Sequence, residues 1–232
     1  MSEAGLLIHN NDGDLLINST YKNLYLVRKL KLTSMSQEVL SNGTLTFSSN
    51  VQTNEVIAPI ARTNGNPLTA FCFRGASKWV IYAPKSSNSQ TTAQLLADLD
   101  NVYVYIFGVR TGTSATGNVG LQVFNQSGVC VYNSNDKPMR VLHYANNVGN
   151  ANVNNTALDS YTVPSGKTCA VFNCSIVNLS MGQGQARPTY FCNAYHSDNG
   201  KIMQQATIMG VAPITVTMGD YIGYMVVDVT GY

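Results

Sequence analysis

The sequence predicts an all-β protein, built as two related β-sandwich-like halves that arose by internal duplication. Three observations lead there. Short apolar runs are broken by Gly, Asn, Pro and Ser at roughly the spacing of sandwich strands. Charged residues make up only 11% of the 232 residues, so the polar surface must be Asn, Ser, Thr, Gln and Gly. Asn and Gly supply the positive-φ positions that tight turns between strands need. Finally, the segment GLLIHNNDGDLLINSTYK at Gly5–Lys22 returns as GLQVFNQSGVCVYNSNDK at Gly120–Lys137.

Aligned without a gap, the two segments agree at seven of 18 positions: Gly5/Gly120, Leu6/Leu121, Asn10/Asn125, Gly13/Gly128, Asn18/Asn133, Ser19/Ser134 and Lys22/Lys137. Ordinary residue frequencies would give roughly one match. Two more landmarks recur in the same order. AFCF (Ala70–Phe73) finds YFCN (Tyr190–Asn193), and DNVYVYIFGV (Asp100–Val109) finds DYIGYMVVDV (Asp220–Val229), each 120 residues later. One loop insertion accounts for the growth of the offset from 115 to 120. The expected halves are residues 1–115 and 116–232, joined near the small-residue stretch TGTSATGN at Thr111–Asn118.

Taken in chain order, the first element is a hairpin. Leu6 and Ile8 alternate with Leu7 and His9, a period of two that marks a strand. NNDG then turns the chain, with Gly13 free to take positive φ, and DLLIN is the return arm. GTLTFSS, NEVIAPIAR, AFCF and KWVIYAP read as further strands. TTAQLLADLD (Thr91–Asp100) has helical spacing, with Thr92 as its expected cap, and DNVYVYIFGV is again strand. The second half opens on the copied hairpin, with Leu121 and Val123 in its first arm and Asn125 and Gly128 in the NQSG turn. SYTVPSGKTCAVFNCSIVN, KIMQQATIMG and APITVTMGDYIGYMVV continue the strand pattern. Leu6, Ile8, Leu121 and Val123 are expected to face a core.

The same composition narrows function. A net charge of +2 provides no basic stripe, which argues against nucleic-acid binding. No apolar run approaches the roughly 20 residues of a membrane helix, and Met-Ser-Glu-Ala does not open a signal peptide. Synthesis in a cytosol is therefore expected, and with it free thiols. The five cysteines (Cys72, Cys130, Cys169, Cys174, Cys192) form no CxxC pair, and several sit in apolar runs.

Catalytic and metal constellations are sparse. NNDGD could suggest calcium, but Leu15, Leu16 and Ile17 follow it where further oxygen ligands would be needed, and the copy drops both aspartates. What both copies keep is the geometry of a turn, carried by Asn10, Gly13, Asn125 and Gly128. Asn18, Ser19 and Lys22, with Asn133, Ser134 and Lys137, suit backbone hydrogen bonding at a strand end and a snorkelling lysine. A second reading makes Lys22 and Lys137 contacts to an acidic partner. His9, His143 and His196 fit no metal pattern, and there is no nucleophile elbow or P-loop. With three glutamates in the chain, the paired carboxyls of a glycosidase are hard to assemble, so no enzyme and no cofactor are expected. Thirteen tyrosines on an uncharged polar surface do suit glycan or protein recognition. ARPTYFCNAYHSDNGK at Ala186–Lys201 gathers Arg187, Tyr190, Tyr195, His196 and Asp198 and is the candidate receptor loop. The simpler reading makes Tyr190, Cys192 and Ala194 one face of a strand and HSDNG a turn.

GLLIHNNDG…STYKNLYLV and GLQVFNQSG…SNDKPMRVL resemble a pattern found in small tail-associated proteins of double-stranded DNA bacteriophages and prophages. That pattern is Gly-Leu-x-Val-x-Asn-x-x-Gly, an apolar strand, then Ser-x-x-Lys-x-x-Arg-Val, with a second copy about a hundred residues on. Arg140-Val141 keeps the pattern's last pair, whereas Tyr25-Leu26 replaces it in the first copy. The resemblance covers under a quarter of the chain. It implies a virion component of the tail tip or fibre region, assembled in the host cytoplasm. Its partners would be other phage tail proteins and further copies of itself, a trimer being the usual symmetry of fibres. Host attachment through a bacterial surface receptor or glycan is the alternative role, and polysaccharide degradation a third. Nucleic-acid binding and membrane insertion are not implied.

Overall fold

The structure is a computed structural model that describes residues 7–9, 15–18, 23–40, 45–62, 70–83, 89–110, 120–148, 159–174, 189–196, 201–209 and 221–232. Apart from one short helix and a 3₁₀ turn at Leu32–Ser34, the regular elements among these residues are all strands. The first half carries β1 (Leu7–His9), β2 (Leu15–Asn18), β3 (Tyr25–Lys31), β4 (Ser36–Val39) and β5 (Leu45–Asn50). It continues with β6 (Glu55–Ile57), β7 (Ile60–Arg62), β8 (Phe71–Arg74), β9 (Lys78–Ala83), α1 (Thr92–Asp98) and β10 (Val102–Gly108). The second half has β11 (Gln122–Phe124), β12 (Cys130–Asn133), β13 (Arg140–Val148) and β14 (Asp159–Thr162). Then come β15 (Cys169–Asn173), β16 (Thr189–His196), β17 (Lys201–Met209) and β18 (Tyr221–Asp228). The all-β prediction holds.

The chain passes back and forth between two sheets. In the first half β7, β10 and β3 lie side by side in one sheet, while β4-β5-β9-β8 form the other. In the second half β15, β18 and β13 lie side by side, and β14-β17-β16 form the other sheet. Every pairing is antiparallel. Two antiparallel sheets enclosing a core make each half sandwich-like.

Ladder registers correspond between the halves. Tyr25↔Gly108, Leu26↔Phe107 and Arg28↔Ile106 are matched by Arg140↔Asp228, Val141↔Val227 and His143↔Val226. Adding 115 to the first partner and 120 to the second converts one set into the other, and both ladders skip one residue, Val27 and Leu142. The same two shifts carry Thr46↔Tyr82 onto Tyr161↔Ile202. One difference has a plain cause. β15 is continuous, whereas its counterpart is split into β6 and β7 at Ala58-Pro59, because proline has no N–H for the ladder. The Pro59 carbonyl still accepts from the Tyr105 N–H at 2.9 Å.

β7 and β15 meet at Ile60↔Val171, which fuses the inner sheets into one, ordered β13-β18-β15-β7-β10-β3 with β6 also on β10. At one end the outer strands come together: Leu26 donates to the Lys137 carbonyl at 2.8 Å, and Met139 to that of Leu24 at 2.8 Å. The sheet thus curls back on itself. Tyr232 sits on this seam, its hydroxyl bonded to the Pro138 carbonyl, Arg140 4.7 Å above its ring and Lys29 donating to its main-chain oxygen at 3.0 Å.

Among the described residues, three hydrophobic clusters fill the spaces between these sheets. Trp79, Phe47, Leu45 and Ile81 pack with Val102, Val104 and Ile106 of β10 between the first half's two sheets. Tyr224 and Val226 pack with Cys169, Val171 and Ala145 in the second half. The curled inner sheet encloses the third cluster, where Tyr105 and Phe107 meet Ala170, Val227 and Val229 from the other half. Alternation explains the division, since successive side chains of β10 leave on opposite faces and each face has a core. Each large side chain fully buried there contributes roughly 1.5–3 kcal/mol.

The helix begins one residue earlier than expected. Thr91, not Thr92, is the cap. Its hydroxyl accepts from the Gln94 N–H at 3.2 Å and Gln94 Oε1 accepts from the Thr91 N–H at 2.8 Å, a reciprocal pair that needs a Gln three places on. Leu95 and Leu99 anchor the helix to the first core.

Candidate functional site

The hairpins form two-stranded sheets outside the sandwiches. β1 pairs β2 as Leu7↔Asn18, Ile8↔Ile17 and His9↔Leu15, and β11 pairs β12 as Gln122↔Asn133, Val123↔Tyr132 and Phe124↔Cys130. All six partners are 115 residues apart, and the irregularity falls between the same two positions. Asn10, Gly13 and Lys22, like Asp12 and Asp14, lie outside the described residues, so the turn chemistry is read from the second hairpin. There Asn125 Oδ1 accepts from the N–H groups of Ser127 at 3.0 Å and Val129 at 2.9 Å, and Gly128 takes φ +74°. Buried Asn133 accepts from Asn135 N–H through Oδ1 at 2.9 Å. Ser134 Oγ accepts from Leu121 N–H at 2.9 Å. Lys137 donates to the Gly231 carbonyl at 3.1 Å and lies 5.6 Å from the Tyr232 ring. The recurring polar residues of this hairpin hold backbone.

Val123 is buried beside Val131 and Tyr132, as expected. Leu121 is not: 47% of it is exposed, as is 44% of Phe124. A two-stranded sheet covers only its middle, and Leu121 lies just before the paired segment. Leu6 and the side chain of Ile8 lie outside the described residues. Behind the hairpin, Arg110 grips Asp136 through both carboxylate oxygens, one at 2.9 Å, tying the end of β10 to the second half.

The two turn-related glycines carry different constraints. A Cβ on Gly120, at φ +130°, would lie 2.3 Å from Ser134 Oγ, whereas Gly128 has open space around it. Gly120→Ala is expected to open the hairpin by about 2–3 kcal/mol and Gly128→Ala by about 1 kcal/mol. Amide hydrogen exchange at Leu121 and Ser134 checks this, and equal effects would refute it.

Of the candidate receptor residues, Tyr190, Tyr195 and His196 belong to β16, paired with Ile208, Met203 and Ile202 of β17. Arg187 and Asp198 lie outside the described residues. β16 and β17 form a hairpin in the outer sheet of the second half, where β8 and β9 stand in the first.

That same sheet of the first half holds a surface the sequence does not announce. Leu45, Phe47, Trp79, Ile81 and Ala83 point into the core, which turns Thr46, Ser48, Lys78, Val80 and Tyr82 outward. With β4 alongside, they bound two adjoining depressions of about 260 and 360 Å³ that share Ser36, Ser48 and Lys78. The lining joins the consecutive strands β4 and β5, with Leu30, Ser34 and Met35 just before them, to β9 about thirty residues on, so no local motif marks it.

Among the described residues no three His, Cys, Asp or Glu side chains gather as a metal site. His143 stacks on Tyr161 at 4.8 Å. Cys72, Cys130 and Cys169 are free and buried, and Cys174 is free and exposed. Burial pushes the Cys72 thiol far up and the Cys169 thiol up to about 11, which leaves both poor nucleophiles. Asp228 is 2% exposed. Burial alone would raise its carboxyl. Lys167 at 2.8 Å, the hydroxyl and N–H of Thr230, and Arg140 outweigh that and hold it at about 2.

A carboxyl lowered from the usual 3.8 to about 2 stabilises the fold above pH 4, and this contribution is lost as pH falls through 2. Because Lys167 and Arg140 are partly exposed, it amounts to about 1–2 kcal/mol. Urea midpoints measured against pH should decline between pH 4 and pH 2. The decline should shrink in Asp228→Asn, and an unchanged decline would exclude Asp228 as its source.

Compared with family models, with curated proteins and with solved structures, the chain matches none.

Proposed function

We propose that this chain is a structural subunit of a bacteriophage tail, at the tip or fibre region, made of one duplicated unit and working through protein–protein assembly. The observation that carries the reading is the pair of hairpins. They share register and irregularity, and they keep seven identical residues. β3 and β13, which help to build the cores, share none over the seven aligned positions 25–31 and 140–146. A segment that contributes little to the cores yet resists change is where an assembly role would leave its trace. The resemblance of this motif to small phage tail proteins gives the particle. Copies of this chain and other tail proteins are its partners, with a trimer as the expected self-assembly.

Immunogold labelling of intact virions with antibody to this chain tests the reading. Gold clustered at the distal tail supports it, and unlabelled particles from a lysate that contains the chain would reject it. Light scattering tests the trimer separately, and a monomer would remove that part. A second reading, receptor or glycan binding, is supported by the polar trough on the β4-β5-β9 face.

A further inference from the structure

We infer that the trough on the outer face of β4, β5 and β9 binds an uncharged oligosaccharide. This rests on the second reading above and names its ligand class. Six side chains define the surface: Ser36, Gln37 and Glu38 from β4, Ser48 from β5, and Lys78 and Tyr82 from β9. Their backbones are fixed by two ladders, Ser36↔Ser48 and Glu38↔Thr46 on one side of β5, and Ser48↔Val80 and Thr46↔Tyr82 on the other. That rigidity comes from the core beneath, where Phe47, Trp79 and Ile81 are buried.

The polar groups are available. Among the described residues the side chains of Ser36, Gln37, Glu38, Ser48 and Lys78 make no hydrogen bond or ion pair, although the surrounding polar groups do. Ser34 is bonded to the Lys31 carbonyl at 2.7 Å, Ser49 to Arg28 at 3.1 Å and Thr46 to the Glu38 carbonyl at 3.4 Å. A fixed set of uncommitted hydroxyl, amide, carboxylate and ammonium groups on a concave sheet face is complementary to a ligand rich in hydroxyls. Each sugar hydroxyl both donates and accepts, so Glu38 can accept where Lys78 and Gln37 donate.

Charge and shape select within that class. The lining carries one cation, Lys78, and one anion, Glu38, so nothing concentrates a polyanion. Half-buried Val80 and Tyr82 offer apolar surface to the C–H faces of sugar rings. The two depressions adjoin and together reach the size of an ordinary ligand site, elongated across the strands, which suits a short chain of sugars.

The full chain on a printed array of neutral and sulfated oligosaccharides, followed by titration calorimetry with the best soluble hit, tests this. Saturable binding to neutral glycans is expected. Glu38→Gln and Lys78→Met should each weaken it by about tenfold or more, as loss of a charge-assisted hydrogen bond requires, with the circular dichroism spectrum unchanged. Tyr82→Ser should weaken it as well. Binding to no glycan, binding confined to sulfated glycans and lost in moderate salt, or binding indifferent to all three substitutions would each overturn the inference. So would capture of an extended peptide on β4 in place of a sugar. Virion labelling is unaffected by any of these results, so the two readings fail separately.

Discussion

Glu55→Ala should lower the stability of the chain by about 3–5 kcal/mol, the cost of leaving the half-buried Arg28 guanidinium and the buried Trp79 N–H without their shared acceptor. The Glu55 side chain is fully buried and has four donors around it. Arg28 Nε lies at 2.6 Å and Nη2 at 3.1 Å, Trp79 Nε1 at 2.7 Å and the Gln52 N–H at 3.1 Å. Arg28 reaches on to Ser49 Oγ at 3.1 Å and the Asn50 carbonyl at 2.6 Å. One carboxylate therefore joins β6 to β3, to β9 and to the turn before it. Urea denaturation at neutral pH should show a lower midpoint with an unchanged slope. If the penalty is that of an unpaired charge, Arg28→Met added to Glu55→Leu should recover much of it. A double variant no better than Glu55→Ala would place the loss in packing instead.

Phe107→Ala should cost a similar amount, about 3–5 kcal/mol, and should weaken both halves together. Phe107 is fully buried in the cluster where Tyr105 meets Ala170, Val227 and Val229. Phe47 is equally buried, but within the first half alone. Amide exchange distinguishes the two. Phe107→Ala should speed exchange at Val171 and Val226 as well as at Val104, whereas Phe47→Ala should do so mainly in the first half. Unfolding of Phe107→Ala in two steps, with the second half's amides unmoved, would mean that the shared core does not couple the halves.

How far the fold could be read in advance varied with the element. VYVYIFG was legible as a strand because it is apolar, aromatic and β-branched throughout. Its lack of alternation becomes intelligible only with both of its faces buried, one between the first half's two sheets and the other inside the curled inner sheet. β4, with the sequence SQEV and every residue exposed, carries no apolar signal, so it could not be read at all. Thr91 and Thr92 are chemically alike, and only the partnership with Gln94 decides which one caps. Leu121 follows the period of its strand but lies beyond the small patch that the hairpin covers. The trough had no sequence signature because β9, about thirty residues beyond β5, supplies one wall, and β4, next to β5 in sequence, carries no apolar pattern. The turn residues Asn125 and Gly128 were legible, since their work is local.

The inner sheet reads the same from either edge, β13-β18-β15 meeting β7-β10-β3 at Ile60↔Val171. Such a palindrome joins, within one chain, two sheet edges that separate copies would have to bring together by collision, so the fused sheet forms independently of protein concentration.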